Sequence, residues 1–191
     1  MIKFNDSSFL RIIILTGLAA TLTGCETFTA SMYGASADTN YAIKALKIND
    51  SVSVGNFTSS GPIDMQCRAV GSIQLPRETL SITAYVKKAF EDELKLAGAY
   101  SANAPKVILT GALSKVNFSS SKGLMGGYWN IDMTISSNNG KSLSVNEYYE
   151  FESGFNANTA CNNTANALMP TVQSLIGKVI SSPEFASLVS Q

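Results

Sequence analysis

Histidine is absent from this chain of 191 residues, and cysteine, tryptophan and charged residues are scarce. Without histidine the sequence lacks the commonest general base, the commonest metal ligand and one member of every Ser-His-Asp triad. The 14 basic residues balance the 14 acidic ones, which removes the electrostatic case for a nucleic-acid partner. Arginine occurs only at Arg11, Arg68 and Arg77, so no phosphate-clamping cluster is expected.

Complete catalytic motifs are also missing. No Gly-x-Ser-x-Gly is present, and the glycine-rich stretch SSSKGLMGGYW (119–129) lacks the order of a phosphate loop and leads into a strand. Glu147, Glu150 and Glu152 lie close together on one strand, as paired carboxylates of a glycosidase would, but alternation places Glu150 and Glu152 on a solvated face. We therefore predict a non-enzymatic protein with no catalytic residue, no cofactor and no metal site.

The apolar run near the start of the chain is short. IIILTGLAATL (12–22) has 11 residues, whereas a membrane-spanning helix needs about 20. Lys3 and Arg11 precede this run and small residues follow it. The order predicts a secretory signal peptide over residues 1–24. A buried helix is the alternative, but neither a helix cap nor a polar face accompanies the run.

The end of the predicted signal peptide, LTGC (22–25), resembles the bacterial lipobox, in which the cysteine is acylated and becomes the first residue of the mature protein. The resemblance implies a thioether-linked diacylglycerol and an N-acyl chain on Cys25, and several chains give the stable anchoring that one chain does not. Glu26 follows, not the aspartate that marks inner-membrane retention in enteric bacteria. We expect the periplasmic face of the outer membrane, with the inner membrane as the alternative.

Two cysteines, Cys67 and Cys161, remain after the predicted acylation of Cys25. An even pair in an exported chain predicts a disulfide. A zinc site is a weaker alternative, because no histidine and no further thiol completes a tetrahedral ligand set. Two buried free thiols are the remaining alternative.

Hydrophobic periodicity predicts two long helices. The first has Gly98 as its C-terminal cap, and the second runs from Thr159 to Ser181 with a kink or break expected at Pro170. A short final helix is predicted in SPEFASLV, with Ser182 as its N-cap. The apolar faces of the long helices comprise Ile82, Val86, Ala89, Phe90, Leu94 and Ala97 in the first and Cys161, Ala165, Leu168, Val172, Leu175 and Val179 in the second.

Four strands are predicted, at 51–57, 106–120, 128–136 and 143–151. In the second a bulge near Gly111 is expected, because the apolar residues change face along it. The last two form a hairpin. A three-residue loop, 138–140, places Ile135 opposite Leu143 and Met133 opposite Val145, with Gly140 in the left-handed conformation. This register faces apolar side chains with apolar ones, which a two-residue loop does not. Alternation puts Trp129, Ile131, Met133 and Ile135 on one face.

These elements predict an α+β fold, a two-layer sandwich in which a mostly antiparallel sheet of about four strands carries two long helices on one face. Residues 25–46, rich in Thr, Ser and Ala, are interpreted as the lipidated cysteine and a tether, partly helical near NYAIKAL. Residues 47–191 form the predicted periplasmic domain, with 58–76 mostly loop.

The loop before the third strand holds candidate contact residues. Leu124 and Met125 are expected to be exposed at its tip, where they could touch lipid or a partner, and Trp129 follows shortly after. A flexible hairpin connection is the alternative interpretation.

With the lipobox, the stretches ELKLAGAY, GGYWNIDMTISSNNGKSL and SPEFASLV give a chain that resembles the small envelope lipoproteins of Gram-negative bacteria. It is similar in layout to the YajG-type and transporter-auxiliary lipoproteins. The resemblance implies a lipid-anchored protein that supports or binds an envelope assembly through an unknown protein partner. A small-molecule or lipid-binding module of a transporter is the alternative, and an envelope hydrolase comes third. A pocket lined by Trp129 and Phe118 would favour the transporter module, and a flat apolar patch the assembly protein.

Overall fold

The computed structural model describes residues 26–190, so the signal-peptide and Cys25 predictions lie outside the described residues. These residues form seven strands and four helices. In chain order the elements are β1 (Glu26–Thr29), α1 (Ala37–Ala45), β2 (Val52–Ser59), β3 (Gln66–Cys67), β4 (Gly71–Gln74), α2 (Ile82–Leu96), β5 (Val107–Lys122), β6 (Gly126–Ser137), β7 (Ser142–Glu152), α3 (Ala157–Ser181) and α4 (Pro183–Leu188).

The strands form two mixed sheets. One has the order β2-β5-β6-β7, with β2 parallel to β5, and the other has the order β1-β4-β3, with β1 parallel to β4. The α+β class is confirmed, but the prediction of one mostly antiparallel sheet of about four strands is wrong. The strands of the second sheet have two to four residues each, too few to show the alternation by which a strand is recognised.

Residues 26–46 belong to the folded domain rather than to a tether. β1 pairs with β4, and Phe28 is buried beneath it. Ile43 of α1 is fully buried in the main core. Polar composition suggested a linker, but a few well-placed apolar side chains dock this segment. The folded domain therefore includes the described chain from residue 26 onward.

Both long helices are confirmed with the predicted buried faces. Gly98 ends α2 at φ 75°, where the Ala99 N–H bonds to the Leu94 carbonyl oxygen at 2.9 Å. A kink or break is predicted at Pro170, and no break occurs there, since α3 is one helix on both sides of the proline. The proline removes one backbone donor, and the buried face continues past it through Val172. The short final helix α4 begins after Ser182 as predicted.

The hairpin register between β6 and β7 is confirmed. Ile135 pairs with Leu143 and Met133 with Val145. The three-residue loop is closed by a 2.8 Å hydrogen bond from the Ser137 N–H to the Lys141 carbonyl oxygen, and Gly140 has φ 86°. The turn lies at the same end of the sheet as the start of β5, because Leu109 pairs with Ser137.

The change of face along β5 comes from a bulge at Ser114 rather than near Gly111. Leu113 pairs with Met133 and Lys115 with Asp132, so one β5 residue is unpaired between them. Gly111 instead allows close packing, since a Cβ there would lie 2.4 Å from the ring of Phe57. A second irregularity lies at Gly111, because the pairing of β2 with β5 shifts register between Val54 and Phe57, and Phe57 pairs with Gly111.

Candidate functional site

Three large apolar side chains are exposed together at one end of the molecule. Leu124 and Met125 occupy the turn between β5 and β6, and Phe155 lies in the loop between β7 and α3. They are 85%, 62% and 83% exposed. Single exposed apolar residues are ordinary, whereas a group of them marks a contact surface. We call these three residues the apolar tip. The predicted exposure of Leu124 and Met125 is confirmed.

Backbone hydrogen bonds hold the two loops of the apolar tip together. The Met125 carbonyl oxygen accepts from the N–H groups of Ser153, at 2.7 Å, and Gly154, at 3.0 Å. The Ser153 hydroxyl also donates to the Ser120 carbonyl oxygen at 2.5 Å. Because both loops are tied at these points, the backbone next to Phe155 is held against the backbone of Met125, and the tip is formed by two joined loops rather than two independent ones.

Arg68 braces the same loops from the other sheet. Its guanidinium donates to the carbonyl oxygens of Ser120, Gly154 and Phe155 at 2.6, 3.3 and 3.2 Å. Its Nε donates to the Ser120 hydroxyl at 3.0 Å. The planar fork of arginine suits several acceptors at once. The Arg68 backbone has φ 48°, an uncommon conformation for a non-glycine residue, in the tight turn between β3 and β4.

The predicted disulfide between Cys67 and Cys161 is present beside Arg68. Their Cα atoms are 5.8 Å apart, and both residues are buried. Cys67 lies in β3, and Cys161 lies near the start of α3. The bond therefore joins the small sheet to α3, and it excludes the zinc and free-thiol alternatives for this pair.

The start of the described chain lies at this same end. Glu26 pairs with Gly71, and Gly71 pairs with Cys67 on the other side of β4. Adjacent strands are about 4.8 Å apart, so the start of β1 and Cys67 are separated by about 10 Å. Residue 25 is the next residue along the chain, and consecutive Cα atoms are about 3.8 Å apart. The predicted lipidation site is thus covalently joined to the end that carries the apolar tip.

Trp129 is not a contact residue. It is fully buried, its indole N–H donates to the Thr164 carbonyl oxygen at 2.9 Å, and its ring packs on Phe118 with centroids 4.6 Å apart. Partner or lipid contact at Trp129 is therefore wrong, and no pocket can be lined by a ring without exposed surface. Alternation along β6 predicts that Trp129 shares a face with Ile131, and the structure shows that this face is the buried one.

The three acidic residues of β7 are on different faces. Glu147 is buried on the core face, with Lys178 Nζ 2.8 Å from its carboxylate. Glu150 is exposed and pairs with Lys122, while Glu152 is exposed near the strand end. Glu147 cannot share a substrate with the other two across the sheet.

A second polar feature is buried under the segment that leads into α1. Glu93 has no exposed surface, and its Oε1 accepts from the Tyr33 hydroxyl at 2.6 Å and from the Ser36 N–H at 2.7 Å. Its Oε2 has no hydrogen-bond partner in residues 26–190. Burial raises the pKa of the Glu93 carboxyl, and the two hydrogen bonds oppose that shift. Burial also raises the pKa of Tyr33, as does Glu93, and burial raises the pKa of Tyr85 to about 12.

A surface cleft lies elsewhere on the molecule, at the junction of β4 and α2. Its volume is about 460 Å³, and its apolar lining includes Ile63, Ile73 and Leu75. Leu80, at its rim, is 93% exposed. The volume of this cleft falls within the range of small-molecule pockets, and its lining mixes apolar and polar side chains.

Residues 26–190 contain neither a cluster of metal ligands nor a membrane-spanning helix. Within that range no group of three or more His, Cys, Asp or Glu side chains is arranged to hold a metal ion. None of the helices described there has the length and apolar character needed to cross a membrane.

Several of these residues could not be selected from sequence. Arg68, Glu93 and Phe155 matter through contacts with segments distant in the chain, such as Arg68 with Phe155 at a separation of 87 residues. Phe155 carries the one usable signal, since it is a large aromatic in SGFN, an otherwise small and polar loop between β7 and α3. Glu93 sits within the charged stretch EDEL, where composition predicts solvent exposure.

Comparison with known proteins adds little. No protein-family model matches the chain, and no curated protein matches it. A crystal structure of an uncharacterized protein is similar over 81% of this chain and 99% of that one, at 9% identity and a TM-score of 0.40. A similarity at that level carries no argument about fold or function.

Proposed function

We propose that this protein is a lipid-anchored, non-enzymatic envelope protein, held on the periplasmic face of the outer membrane by Cys25, where it supports or binds an envelope assembly. One observation carries the proposal: strand β1 includes Glu26, the residue directly after the lipobox-like LTGC, so the residue that would be acylated adjoins the folded domain. The disulfide between Cys67 and Cys161 fits export, since such bonds persist in oxidising compartments.

The polar residues support the non-enzymatic part of the proposal. The chain has no histidine, and Glu147 is separated from Glu150 by the sheet. Glu93 lies beneath Tyr33 and Ser36 with no exposed surface, so a substrate cannot reach it without displacing the segment above it. These acidic groups serve packing and positioning in the native fold.

A second candidate function is a small-molecule or lipid-binding module that assists a transporter. The cleft at the junction of β4 and α2 favours it, because its volume of about 460 Å³ falls within the range of ligand pockets. It ranks second, since the lining mixes Ile63 and Ile73 with Ser72, Gln74 and Ser81 and holds no charged group to orient a ligand.

The anchor is tested by radiolabelled palmitate in cells that express the full chain. We expect wild type to be labelled and to fractionate with the outer membrane, whereas Cys25→Ala should be unlabelled and remain as an unprocessed precursor. Cys67→Ala serves as the control, because it removes a different cysteine and should leave labelling intact. Equal labelling of wild type and Cys25→Ala would contradict the proposal.

An experiment at the cleft distinguishes the two candidate functions. A photo-crosslinking amino acid at Leu80, which is 93% exposed, should capture one defined envelope protein in intact cells, and the same group at exposed Tyr41 of α1 serves as the control position. A native mass spectrum with a bound small molecule or lipid, together with no protein crosslink at Leu80, would instead support the transporter module.

A further inference from the structure

We propose that the apolar tip of Leu124, Met125 and Phe155 inserts into the phospholipid surface beside the acylated residue 25 and so fixes the orientation of the domain on the membrane. The inference rests on the proposed lipid anchor and goes beyond it. It assigns a second, protein-borne membrane contact to residues 124, 125 and 155, and it states which end of the molecule faces the bilayer.

The position of the chain start selects lipid as the occupant of the tip. Glu26 pairs with Gly71, Gly71 pairs with Cys67, and Arg68 donates to the Gly154 and Phe155 carbonyl oxygens. A continuous set of backbone and side-chain contacts therefore links residue 26 to the tip. An acyl group on residue 25 has no intervening tether, so the membrane surface must lie against this end of the domain.

The side chains next to the tip on β5, β6 and β7 are of the types found at membrane interfaces. Tyr128 lies two residues along β6 from the start of that strand, about 7 Å at the usual rise of a strand, and its ring stacks on Tyr148 at 4.9 Å. Lys122 lies 5.3 Å from the Tyr148 ring centroid and pairs with Glu150. Tyrosine and lysine side chains with apolar bodies and polar ends suit the headgroup region.

The charge of the tip favours apolar insertion over electrostatic adsorption. Lys122 is neutralised by Glu150, and the Arg68 guanidinium is engaged by carbonyl oxygens. Both cations therefore already have partners within the protein, which weakens their attraction to anionic headgroups. We therefore expect the contact to depend weakly on salt and on the share of anionic lipid.

The test places tryptophan at the tip and at the opposite end of the molecule. Leu124→Trp and the control Leu96→Trp both replace exposed leucines, 85% and 58% exposed. Leu96 ends α2 close to the segment that pairs with the start of β2, far from the tip. Full-chain acylated protein is reconstituted in vesicles of phosphatidylethanolamine and phosphatidylglycerol brominated in the acyl chains. Wild-type protein gives the baseline emission and quenching, because its single tryptophan, Trp129, is fully buried.

We expect bromine to quench the added emission of Leu124→Trp strongly and that of Leu96→Trp little, with a blue shift of the tip emission on reconstitution. Adding Phe155→Ser to Leu124→Trp should reduce the quenching, and raising the salt concentration should not. Equal quenching at positions 124 and 96, or none at either, would overturn the inference.

Palmitate labelling of the same variants separates the inference from the proposed function. If the chain is acylated but the tip is not quenched, the tip inference fails and the lipid anchor stands. If the chain is not acylated, the anchor fails, and the purified full chain is mixed with the same vesicles. Quenching of Leu124→Trp in that mixture supports lipid contact by the tip, and its absence overturns it.

Discussion

At the scale of single residues, Glu93 determines how the chain runs between β1 and α1. Its carboxylate bonds to the Tyr33 hydroxyl and the Ser36 N–H, and Tyr85 donates to the Ser31 carbonyl oxygen at 2.9 Å. The segment 31–36 is therefore held by α2 through polar contacts beneath the surface. Such contacts hold only while each partner is in place, since a buried polar group without a partner is costly.

Glu93 should make stability depend on pH. Its pKa is raised by burial, so the folded state holds the proton more tightly than the unfolded state does. The free energy of unfolding should then fall as pH rises above about 4.5, the ordinary value, and level off above the folded-state pKa. In Glu93→Gln, which cannot ionise, this fall should be absent. Thermal unfolding between pH 4 and pH 8 measures it.

The control for that experiment is Glu152→Gln, which removes an exposed carboxylate and should keep the wild-type pH profile. An unfolding midpoint that falls equally with pH in wild type and in Glu93→Gln would show that other groups cause the dependence.

Gly111 tests how tightly the core is packed. A Cβ at this position would lie 2.4 Å from the buried Phe57 ring, so Gly111→Ala should lower the free energy of unfolding by about 1–3 kcal/mol, as overpacking does. Gly61→Ala is the matched control, because its Cβ would meet nothing within 4 Å. Denaturant unfolding compares the two, and equal midpoints would contradict the packing derived for Phe57.

Trp129 shows where residue-level prediction succeeds and where it fails. Alternation along β6 correctly predicted that its side chain faces the same way as Ile131, Met133 and Ile135. The interpretation as a contact residue relied on its closeness in sequence to Leu124 and Met125. Strand geometry reverses the side-chain direction at every residue, so sequence closeness to an exposed turn does not imply exposure.

At the scale of elements, the local features could be predicted and the distant pairings could not. The β6–β7 register followed from a three-residue loop and two matching apolar faces. The pairing of β1 with β4 joins Glu26 to Gly71, 45 residues apart, through four-residue strands, and no period is visible in so few residues. The helix α3 also continues through Pro170 without a break. Buried residues on both sides of the proline hold the helix together, and this tertiary packing outweighs the local preference of proline.

The disulfide is the element-scale contact with the largest expected effect. It closes a span of 94 residues between β3 and α3, which corresponds to about 4 to 5 kcal/mol in the chain-entropy description. Reduction should therefore lower the unfolding temperature by about 10 °C for a domain of this size. The doubly substituted Cys67→Ser/Cys161→Ser chain is the control, since reductant should not change its midpoint. Rapid alkylation of both thiols in the untreated native protein would contradict the bond.

At the scale of the whole molecule, the two ends of the domain carry different structural features. One end carries the chain start, the Arg68 turn and the apolar tip, whereas the other carries the β6–β7 turn and the C-terminal segment. There Asn139 Nδ2 donates to the carbonyl oxygens of Leu188 and Ser190 at 3.1 and 3.0 Å. If the tip end faces the bilayer, the opposite end and the sides, including the cleft beside Leu80, remain open to protein partners in the periplasm.

If Cys25 carries the proposed lipid anchor, its position directly before β1 gives a whole-molecule prediction. A ten-residue insertion after Cys25, of glutamate followed by nine Gly and Ser residues, keeps glutamate next to the cysteine but lets the domain move by about 17 Å, the average span of such a linker. Palmitate labelling and membrane fractionation should be unchanged. Bromine quenching of Leu124→Trp should fall, because the anchor no longer holds the tip at the lipid surface, yet should stay above that of Leu96→Trp. A proline-rich insertion of equal length, which is extended and semi-rigid, is the control and should lower the quenching further. Unchanged quenching after the flexible insertion would mean that the tip reaches lipid without help from the short connection at residue 26.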